Sequence, residues 1–539
     1  MKLSWRRGVP AAAWCFRCGM VFPLRHGVSV AAWCFRCGMV FPLRHGVPAA
    51  AWCSRCGMVF PLRRGVPVAA WCSRCGMVFP LRRGVSAAAW CFRCGVVALD
   101  IPWAMLIVSS PMELSDFGKK LTSRSGILQL MDDLGKPLPP GVEPFPLGGG
   151  NPARVPEVEQ TYRREMKALL SSGDAFEDAI SHYDAPQGRM SFVAAVAAFL
   201  SERYGWPITS ENVVVTNGSQ SAMFYLFNLF SGSFGDHRKT VLFPLMPEYV
   251  GYADQGIELG TFASVPSHCV YFEDRTFKYT IDFPSVEAYL AGHPEVGAIC
   301  VSRPTNPSGN VITDVELSRL SSLAHQYGIP LVVDNAYGLP FPDIVFTDDA
   351  TPLWNEDIVL SMSLSKIGLP AIRTGIVVAR AEIIAALSNL NAIVALAAGS
   401  LGQVLAERLI RTGELVDLAQ NAVHPYYQSK ADMAQTWIRE FFDGTEYYYH
   451  RIEGSIFCWL YLPRLDIPTT EFYEILKADG VVTVPGEYSF FGHPDQLAGK
   501  PYPHDHYDKC LRLNYSAPDE KVREGLRRIA ARYREHMRG

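Results

Sequence analysis

The stretch "IVLSMSLSKIGLPAIRTGIVVA" (residues 358–379) contains two apolar runs, with one lysine, Lys366, and one arginine, Arg373, between them. Runs of this length rich in β-branched residues predict strands. Similar runs alternate with helical stretches between residues 212 and 379. This alternation predicts an α/β fold with a mainly parallel sheet. After about residue 415 the pattern becomes mixed, which predicts a smaller C-terminal α+β domain.

Local patterns place the individual elements. "NVVVTNGSQSAMFYLFNLF" (212–230) predicts a strand, a turn and a buried helix, and Thr313 with Glu316 predicts a capping box at a helix start. We interpret the aromatic run "YYYH" (447–450) as an edge strand. The other predicted strands are residues 240–245, 297–304, 329–337, 357–365, 374–379 and 455–462.

The first hundred residues are five near-identical copies of a 19-residue unit. Each copy has a C-x-x-C pair, such as Cys15/Cys18, and 15 residues separate successive pairs, a spacing that fits a zinc or redox array. However, the copies are nearly identical even at surface positions, and they contain no acidic residue. A folded array normally needs distinct capping units. We therefore predict that residues 1–111 are a disordered or artefactual leader without metal, and that Met112 is the natural start.

Charge and cysteine content divide the chain in the same way. Residues 1–99 hold 14 Lys or Arg and no acidic residue, whereas the remainder holds 36 basic and 53 acidic residues. An acidic body argues against nucleic-acid binding. The apolar run 101–108 is too short to span a membrane, and we find no secretory signal. Outside the repeats only four scattered cysteines occur, which favours the cytoplasm.

Polar residues follow several predicted strands, at the edge where open α/β sheets bind ligands. In "TNGSQSA" (216–222), Gly218 allows a tight turn, and Ser219 and Gln220 open a helix. A helix start of this kind suits a phosphate group, although serine is also an ordinary N-cap without a ligand. Both interpretations remain open for this motif alone.

Asp334 ends an apolar strand in "VVDNAYG" (332–338). A carboxylate there needs a cationic partner, which could be a protonated heterocyclic nitrogen, an internal ion pair or a helix cap. Tyr337 would be a nearby hydroxyl donor. Asn306 in "RPTNPSGN" (303–310) either donates a hydrogen bond into a site or is an ordinary turn residue.

Lys366 is either an amine nucleophile with a lowered pKa or a solvated loop lysine. Ser363, Ser365 and Arg373 would complete a phosphate site beside it. A phosphate cradle, an acid for a ring nitrogen, donors for a ring hydroxyl and an aldehyde-binding lysine are the parts that pyridoxal phosphate requires. Their joint occurrence favours that cofactor.

A second candidate site is the loop "PHDHYDKC" (503–510), which contains the metal-capable residues His504, His506, Asp508 and Cys510. Closely spaced ligands on one loop are more often polar surface, so we predict no metal site here. We also considered a DNA-binding regulator with an enzyme-like sensor domain. The front of the chain lacks the helical pattern that such a regulator needs.

The ordered motifs "YDAPQG", "TNGSQSA", "PEYVGY", "SRPTNPSGN", "DNAYG", "SLSKIGLP" and "CLRLNY" resemble those of the fold-type I aminotransferases over about residues 113–535. "LGGGNPA" (147–153) and "LFPLMPEYVGYAD" (242–254) are similar to members that exchange an amino group between valine and pyruvate. The resemblance implies a homodimeric enzyme of amino-acid biosynthesis that forms 2-oxoisovalerate and alanine by a ping-pong mechanism. Another aminotransferase or a β-lyase of this fold is the alternative.

The resemblance also implies roles for individual residues and a division of the chain. Lys366 resembles the lysine of the internal aldimine, and Asp334 the partner of the pyridine nitrogen. The implied domains are an arm (112–155), a large cofactor-binding domain (156–415) and a small domain (416–539). One departure is Ala371–Ile372, where the family shows smaller residues. The resemblance implies that Asn306 and Tyr337 bind the ring hydroxyl and that Tyr249 stacks on the ring. The residues implied to bind the phosphate are Ser219, Gln220, Ser363, Ser365 and Arg373, and Tyr183 is implied to reach the phosphate of the neighbouring subunit. Arg512 is implied to bind the substrate carboxylate, together with the backbone near Gly149 and Gly150.

Overall fold

The computed structural model describes residues 113–123, 125–135 and 141–538, together with ten short strands before residue 99. The chain divides into two compact units, Met1–Ser115 and Asp116–Gly539. The finer predicted divisions at residues 111, 155 and 415 stay predictions.

The described strands of the first unit form two five-stranded parallel sheets, in the orders β1-β3-β5-β7-β9 and β10-β8-β6-β4-β2. Each strand pairs with the equivalent strand of the next copy, so that Trp14 is opposite Trp33. Identical segments at a fixed period can align in register in this way, and the predicted disorder of residues 1–111 stays a prediction. The residues between the strands, including the second cysteine of every C-x-x-C pair, lie outside the described residues. The strands are β1 Ala11–Cys15, β2 Met20–Val21, β3 Val30–Cys34, β4 Met39–Val40, β5 Ala49–Cys53, β6 Met58–Val59, β7 Val68–Cys72, β8 Met77–Phe79, β9 Ala87–Cys91 and β10 Val96–Ala98.

The second unit alternates helices and strands, as the sequence predicts. Its helices are α1 Asp116–Leu121, α2 Gly126–Gly135, α3 Pro156–Leu170, α4 Ala175–Ser181, α5 Met190–Tyr204, α6 Ser219–Phe230, α7 Phe283–Gly292, α8 Asp314–Tyr327, α9 Ala381–Ala395, α10 Ser400–Arg411, α11 Glu414–Leu418, α12 His424–Phe441, α13 Thr469–Ala478, α14 Pro494–Leu497 and α15 Asp519–Glu535. Its strands are β11 Phe145–Pro146, β12 Val213–Thr216, β13 Gly232–Phe234, β14 His237–Phe243, β15 Phe262–Ser264, β16 His268–Tyr271, β17 Thr276–Thr280, β18 Val296–Ser302, β19 Leu331–Asp334, β20 Ile358–Ser363, β21 Gly375–Val378, β22 Tyr448–His450, β23 Phe457–Tyr461, β24 Val481–Val482, β25 Val484–Pro485 and β26 Cys510–Asn514.

The central sheet has eight strands in the order β12-β21-β20-β19-β18-β14-β13, with β15 beside β14. Strands β14, β15, β18, β19 and β20 pair in parallel, whereas β21 is antiparallel to both of its neighbours. The prediction of a mainly parallel sheet is therefore confirmed. Strands such as β12 and β18 are buried along their whole length, as is typical of strands in a sheet that is covered on both faces.

A second sheet has six strands in the order β16-β17-β22-β23-β26-β25. Its first two strands come from residues 268–280, well before the C-terminal segment. The prediction that residues 447–450 form an edge strand is wrong, since β22 lies between β17 and β23. Among the described residues, no helix combines the length and apolar character needed to cross a membrane.

Candidate active site

The candidate site lies at the carboxyl ends of the central strands. The register of the parallel strands places Ser302 beside Asp334, and Asp334 beside Ser361. Lys366 stands three residues after the end of β20, and α6 begins three residues after β12 ends. The sheet therefore brings together polar residues that are far apart in sequence, as the strand-end pattern predicts.

Lys366 is half-buried, and its Nζ donates a hydrogen bond to the carbonyl of Gly150 at 2.6 Å. The ammonium also lies 5.2 Å from the ring centroid of Tyr337. Burial, and then the positive charges of Arg512 and Arg373, lower the pKa of Lys366 from 10.5 to about 8, against the opposing effect of Asp334. A lysine with such a pKa supplies a neutral, nucleophilic amine near physiological pH.

Asp334 accepts hydrogen bonds from the hydroxyl of Tyr252 and, at 3.1 Å, from the backbone N–H of Ala336. Burial raises the pKa of this carboxyl, and the two donors partly oppose the increase. Among the described residues, no Lys, Arg or His forms an ion pair with it, so a cationic N–H group would complete the site. The sequence did not single out Tyr252, although it stands three residues after Tyr249 in "PEYVGY".

Arg373 closes a cradle at the start of α6. Its Nη1 lies 3.4 Å from the hydroxyl of Ser365, and that residue's backbone N–H donates to Ser363 at 3.1 Å. A Cβ atom on Gly218 would lie only 2.2 Å from Nη2 of Arg373, so glycine alone leaves room for the guanidinium over the helix start. A guanidinium, serine hydroxyls and a helix N-terminus together fit a phosphate group.

Two predicted phosphate residues use their side chains elsewhere. The hydroxyl of Ser219 donates to the carbonyl of Met362 at 3.2 Å, and the amide of Gln220 donates to the carbonyl of Gly251 at 3.3 Å. Their backbone N–H groups belong to the first turn of α6, where such donors lack partners within the helix. The predicted phosphate role of these residues thus falls to the backbone and stays a prediction.

Arg373 contacts Ser365 although Ala371–Ile372 depart from the family pattern. These residues form a short 3₁₀ turn with Pro370, and the Ile372 side chain extends to Gly402, where a Cβ atom would lie 2.9 Å from it. The larger side chain is therefore accommodated by a glycine of α10. Arg373 itself adopts a φ of 57°, which directs its guanidinium back to Ser365.

Arg512 is 2 % exposed. It contacts the same glycine segment, residues 148–150, whose Gly150 carbonyl accepts a hydrogen bond from Lys366. Its Nη1 donates to Oδ1 of Asn306 at 2.8 Å, and its Nη2 donates to the carbonyl of Gly148 at 2.6 Å. Its Nε has no partner, and no carboxylate of the described residues pairs with it. A buried guanidinium without an anion fits a substrate carboxylate. The carbonyl of Gly149 accepts a hydrogen bond from Asn514, so this glycine segment is fixed beside Arg512.

The predicted aromatic residues occupy different environments. Tyr249 is half-buried and meets Tyr252 edge-on with ring centroids 5.1 Å apart. Tyr337 is buried and packs edge-on against Phe457 at 5.8 Å. Tyr183, in contrast, is 83 % exposed on the loop after α4. Its predicted role concerns a neighbouring subunit and is not tested within one chain.

The histidine loop at 503–510 is not polar surface. His506 is 1 % exposed, and its ring nitrogens contact the hydroxyls of Tyr271 and Tyr279 at 2.7 Å and 2.6 Å. Burial lowers the pKa of His506 well below its usual value. Within the part of the chain that the structure describes, no cluster of three or more Cys, His, Asp or Glu side chains could hold a metal ion.

Comparisons with known proteins agree with this site. Residues 154–529 match the family model "Aminotransferase class I and II". The chain is 46 % identical to valine–pyruvate aminotransferase of Escherichia coli (strain K12) over 421 residues, which cover 78 % of this chain and 97 % of that protein. The crystal structure of valine–pyruvate aminotransferase from Salmonella typhimurium LT2 superposes with a TM-score of 0.68 at 42 % identity, and the match covers 76 % of this chain and 99 % of the other.

The protein is a member of the class I and II aminotransferases. It is also 27 % identical to aromatic-amino-acid aminotransferase 1 of Thermococcus litoralis, over 66 % of this chain and 80 % of that protein. The family uses pyridoxal 5′-phosphate, as the motifs of this sequence predict. The cradle at Gly218, the buried acid Asp334 and the amine of Lys366 fit its phosphate, ring nitrogen and aldehyde respectively.

Proposed function

We propose that the enzyme transfers the amino group of valine to pyruvate and so forms 2-oxoisovalerate and alanine. The observation that carries this proposal is that Lys366, Asp334 and Arg512 lie close enough for the charges of Asp334 and Arg512 to act on the Lys366 amine. The identity of 46 % to the valine–pyruvate enzyme, along almost the whole length of that protein, supports the choice of substrates.

The protein's own residues divide the chemistry among them. Bound pyridoxal phosphate supplies an electron sink for the carbanion that forms at the substrate Cα. Lys366 would hold the aldehyde group of the cofactor, and its amine would remove the proton from the substrate Cα as a general base. The same amine would then donate that proton, as a general acid, to the former aldehyde carbon of the cofactor and not back to Cα, so that the substrate leaves as the 2-oxo acid. Asp334 holds the proton of the ring nitrogen in place, since a carboxylate without an ion-pair partner favours a cationic N–H.

Arg512 orients both substrates in the same way, because valine, pyruvate and their products all carry a carboxylate next to the reacting carbon. Its buried position excludes water from the ion pair, which strengthens the interaction. One site thus serves two successive half-reactions, the first with the amino acid and the second with the 2-oxo acid. This use of one site predicts ping-pong kinetics.

A different aminotransferase or a β-lyase with this fold is the alternative proposal. The identity of 27 % to an aromatic-amino-acid aminotransferase supports the alternative of an amino donor with a larger side chain. The residues around Lys366 and Arg512 serve any 2-amino acid, so the side-chain preference depends on other contacts.

We further propose that the working enzyme is a homodimer in the cytoplasm. Tyr183 and the end of α9 expose large side chains, with Tyr183 83 %, Ile393 82 % and Val394 61 % exposed. Asn391 of α9 donates to the carbonyl of Pro186 at 2.9 Å, which connects the two exposed segments. Val394 also lines a cavity of about 360 Å³ together with Gln220, so a second subunit on this surface would lie near the cofactor. The four cysteines described in the second unit are unpaired, which supports the proposed location.

The test of the function combines a substrate panel with one substitution. We expect valine with pyruvate to give the highest kcat/KM among branched, aromatic, acidic and sulfur-containing donors, measured by product formation. Lys366→Ala should lower turnover by about 10²- to 10⁴-fold, because the proton transfer at Cα loses its base.

The matched control is Lys120→Ala. Lys120 is also a partly buried lysine with a lowered pKa, and its ammonium also donates to a backbone carbonyl, that of Gly256. We expect near-normal turnover for this variant. Near-normal turnover of Lys366→Ala would contradict the assigned chemistry, and a preferred donor other than valine would contradict the assigned substrate.

A further inference from the structure

A second buried carboxyl lies behind Asp334. Glu248 is fully buried, and no Lys, Arg or His of the described residues forms an ion pair with it. It accepts hydrogen bonds from the backbone N–H of Ser302 at 2.8 Å, from the hydroxyl of Ser302 at 2.7 Å and from the backbone N–H of Tyr249 at 3.2 Å. Three donors that converge on one buried carboxyl indicate a defined structural task.

The partners of Glu248 connect two parts of the site. Ser302 ends β18 and lies in register with Asp334 on β19. Tyr249 begins the turn that leads to Tyr252, whose hydroxyl donates to Asp334 and lies 3.5 Å from the hydroxyl of Ser302. Glu248 therefore holds the turn of Tyr249–Tyr252 at a fixed distance from the end of β18.

We propose that Glu248 is a positioning residue that sets the geometry of the cofactor ring, by holding the turn of Tyr249 and Tyr252 against the strand end beside Asp334. The inference rests on the roles proposed above for Asp334 at the ring nitrogen and for Tyr249 on the ring face. It extends them to a residue whose hydrogen-bond partners are Ser302 and Tyr249.

A carboxyl suits this position better than an amide. The groups that face it are all donors, two N–H groups and one hydroxyl. A glutamine would turn its own NH₂ group toward one of these donors and leave it unsatisfied, which is costly in a buried site. Burial and the nearby Asp334 raise the pKa of Glu248, whereas the three hydrogen bonds that it accepts from Ser302 and Tyr249 favour its ionised form. The two acids thus interact electrostatically, so a substitution at Glu248 alters the environment of Asp334, the proposed partner of the ring nitrogen.

The experiment compares Glu248→Gln with Glu487→Gln in the full-length enzyme. Glu487 is the matched control, since this largely buried carboxyl accepts a backbone N–H and two threonine hydroxyls, from Thr469 and Thr470. The measurements are the dissociation constant of pyridoxal 5′-phosphate and the pH midpoint of the bound cofactor's visible absorbance. For Glu248→Gln we expect about tenfold weaker binding and a midpoint shifted by about one pH unit. For Glu487→Gln we expect both values to match the wild type, even where thermal stability falls.

Ser302→Ala is a second variant for the case in which Glu248→Gln does not fold. It removes one donor to Glu248, and we expect changes of the same sign and smaller size. Wild-type values of both quantities in the variant that folds would overturn the proposal, as would equal changes in Glu487→Gln. Neither measurement needs an amino donor, so a wrong substrate assignment leaves the outcome intact. A wild-type enzyme without a cofactor absorbance band would instead contradict the proposed function itself.

Discussion

The amine of Lys366 lies between a backbone carbonyl and two arginines, and this placement controls its protonation. Burial has the largest effect, and Arg512 and Arg373 add to it, so the pKa falls from 10.5 to about 8. Asp334 acts in the opposite direction. The residues assigned to the substrate carboxylate and the phosphate therefore also prepare the lysine for reaction with an aldehyde.

The lowered pKa of Lys366 predicts a pH dependence in the cofactor-free enzyme. Lys366 modified by reductive methylation with ¹³C-formaldehyde should titrate by NMR with a midpoint near pH 8, instead of 10.5. Because the folded-state pKa is lowered, the unfolded chain binds more protons between these two values, and the contribution of Lys366 to stability rises with pH across that window.

Lys366→Met is the control, since methionine keeps a similar volume without an amine. We expect the ¹³C signal to disappear in this variant, and the stability increase between pH 8 and 10.5 to become smaller. A titration midpoint close to 10.5 would contradict the assigned environment of the amine.

Sequence patterns singled out Lys366 and Asp334 by their type and their position at or after strand ends, and the family resemblance singled out Arg512; the roles of all three stay predictions. The patterns did not find Tyr252 or Glu248, because the contacts of these side chains depend on the path of a turn. Patterns also could not show that the side chains of Ser219 and Gln220 bond within the protein. Hydrogen-bond partners of this kind are decided by the packing of neighbouring strands.

At the scale of elements, the start of α6 depends on Gly218. This residue has φ 82° and ψ 159°, a conformation that other residues rarely adopt, and the guanidinium of Arg373 occupies the space where a Cβ atom would be. Apolar periodicity was sufficient to predict α6 and the central strands. It was not sufficient to place β22, because the pairing of β22 with β17 joins segments more than 160 residues apart.

Gly218→Ala should therefore weaken cofactor binding. The new methyl group displaces Arg373 from the phosphate cradle, and the backbone strain costs about 1–3 kcal/mol. We expect a higher dissociation constant for pyridoxal 5′-phosphate and a lower melting temperature, measured by absorbance titration and calorimetry. Gly205→Ala is the control, because Gly205 also has a positive φ, 67°, but no atom lies within 4 Å of its added Cβ. Equal cofactor affinity in the two variants would contradict the role of the cradle.

At the scale of the whole molecule, the second unit exposes apolar side chains beside its active site. Tyr183, Ile393 and Val394 are each more than half exposed, and hydrogen bonding between Asn391 and Pro186 connects their segments. Exposed apolar side chains grouped in this way are typical of an interface. The sequence alone predicted the homodimer only through the resemblance of "YDAPQG", since exposure cannot be derived from a motif.

A mixture of Tyr183→Phe and Lys366→Ala enzymes tests the homodimer. If Tyr183 acts in the neighbouring site, each mixed dimer contains one site with both native residues, and random mixing restores about a quarter of the wild-type activity. The experiment is a refolding of the two variants together, followed by an activity assay and sedimentation. Mixtures without any recovered activity, or a monomeric wild type, would contradict the proposal.

The hydrogen bond between Arg512 and Asn306 has one further consequence. Because Nη1 of Arg512 donates a hydrogen bond to the amide oxygen of Asn306, the NH₂ group of that amide points away from Arg512. Asn306 can then offer only protons to a ring oxygen, and it discriminates in favour of the negatively charged phenolate over the neutral phenol. In its proposed role at the substrate carboxylate, Arg512 would thereby also fix the polarity of the amide, so that substrate binding and the ionisation state of the ring would be linked through a single side chain.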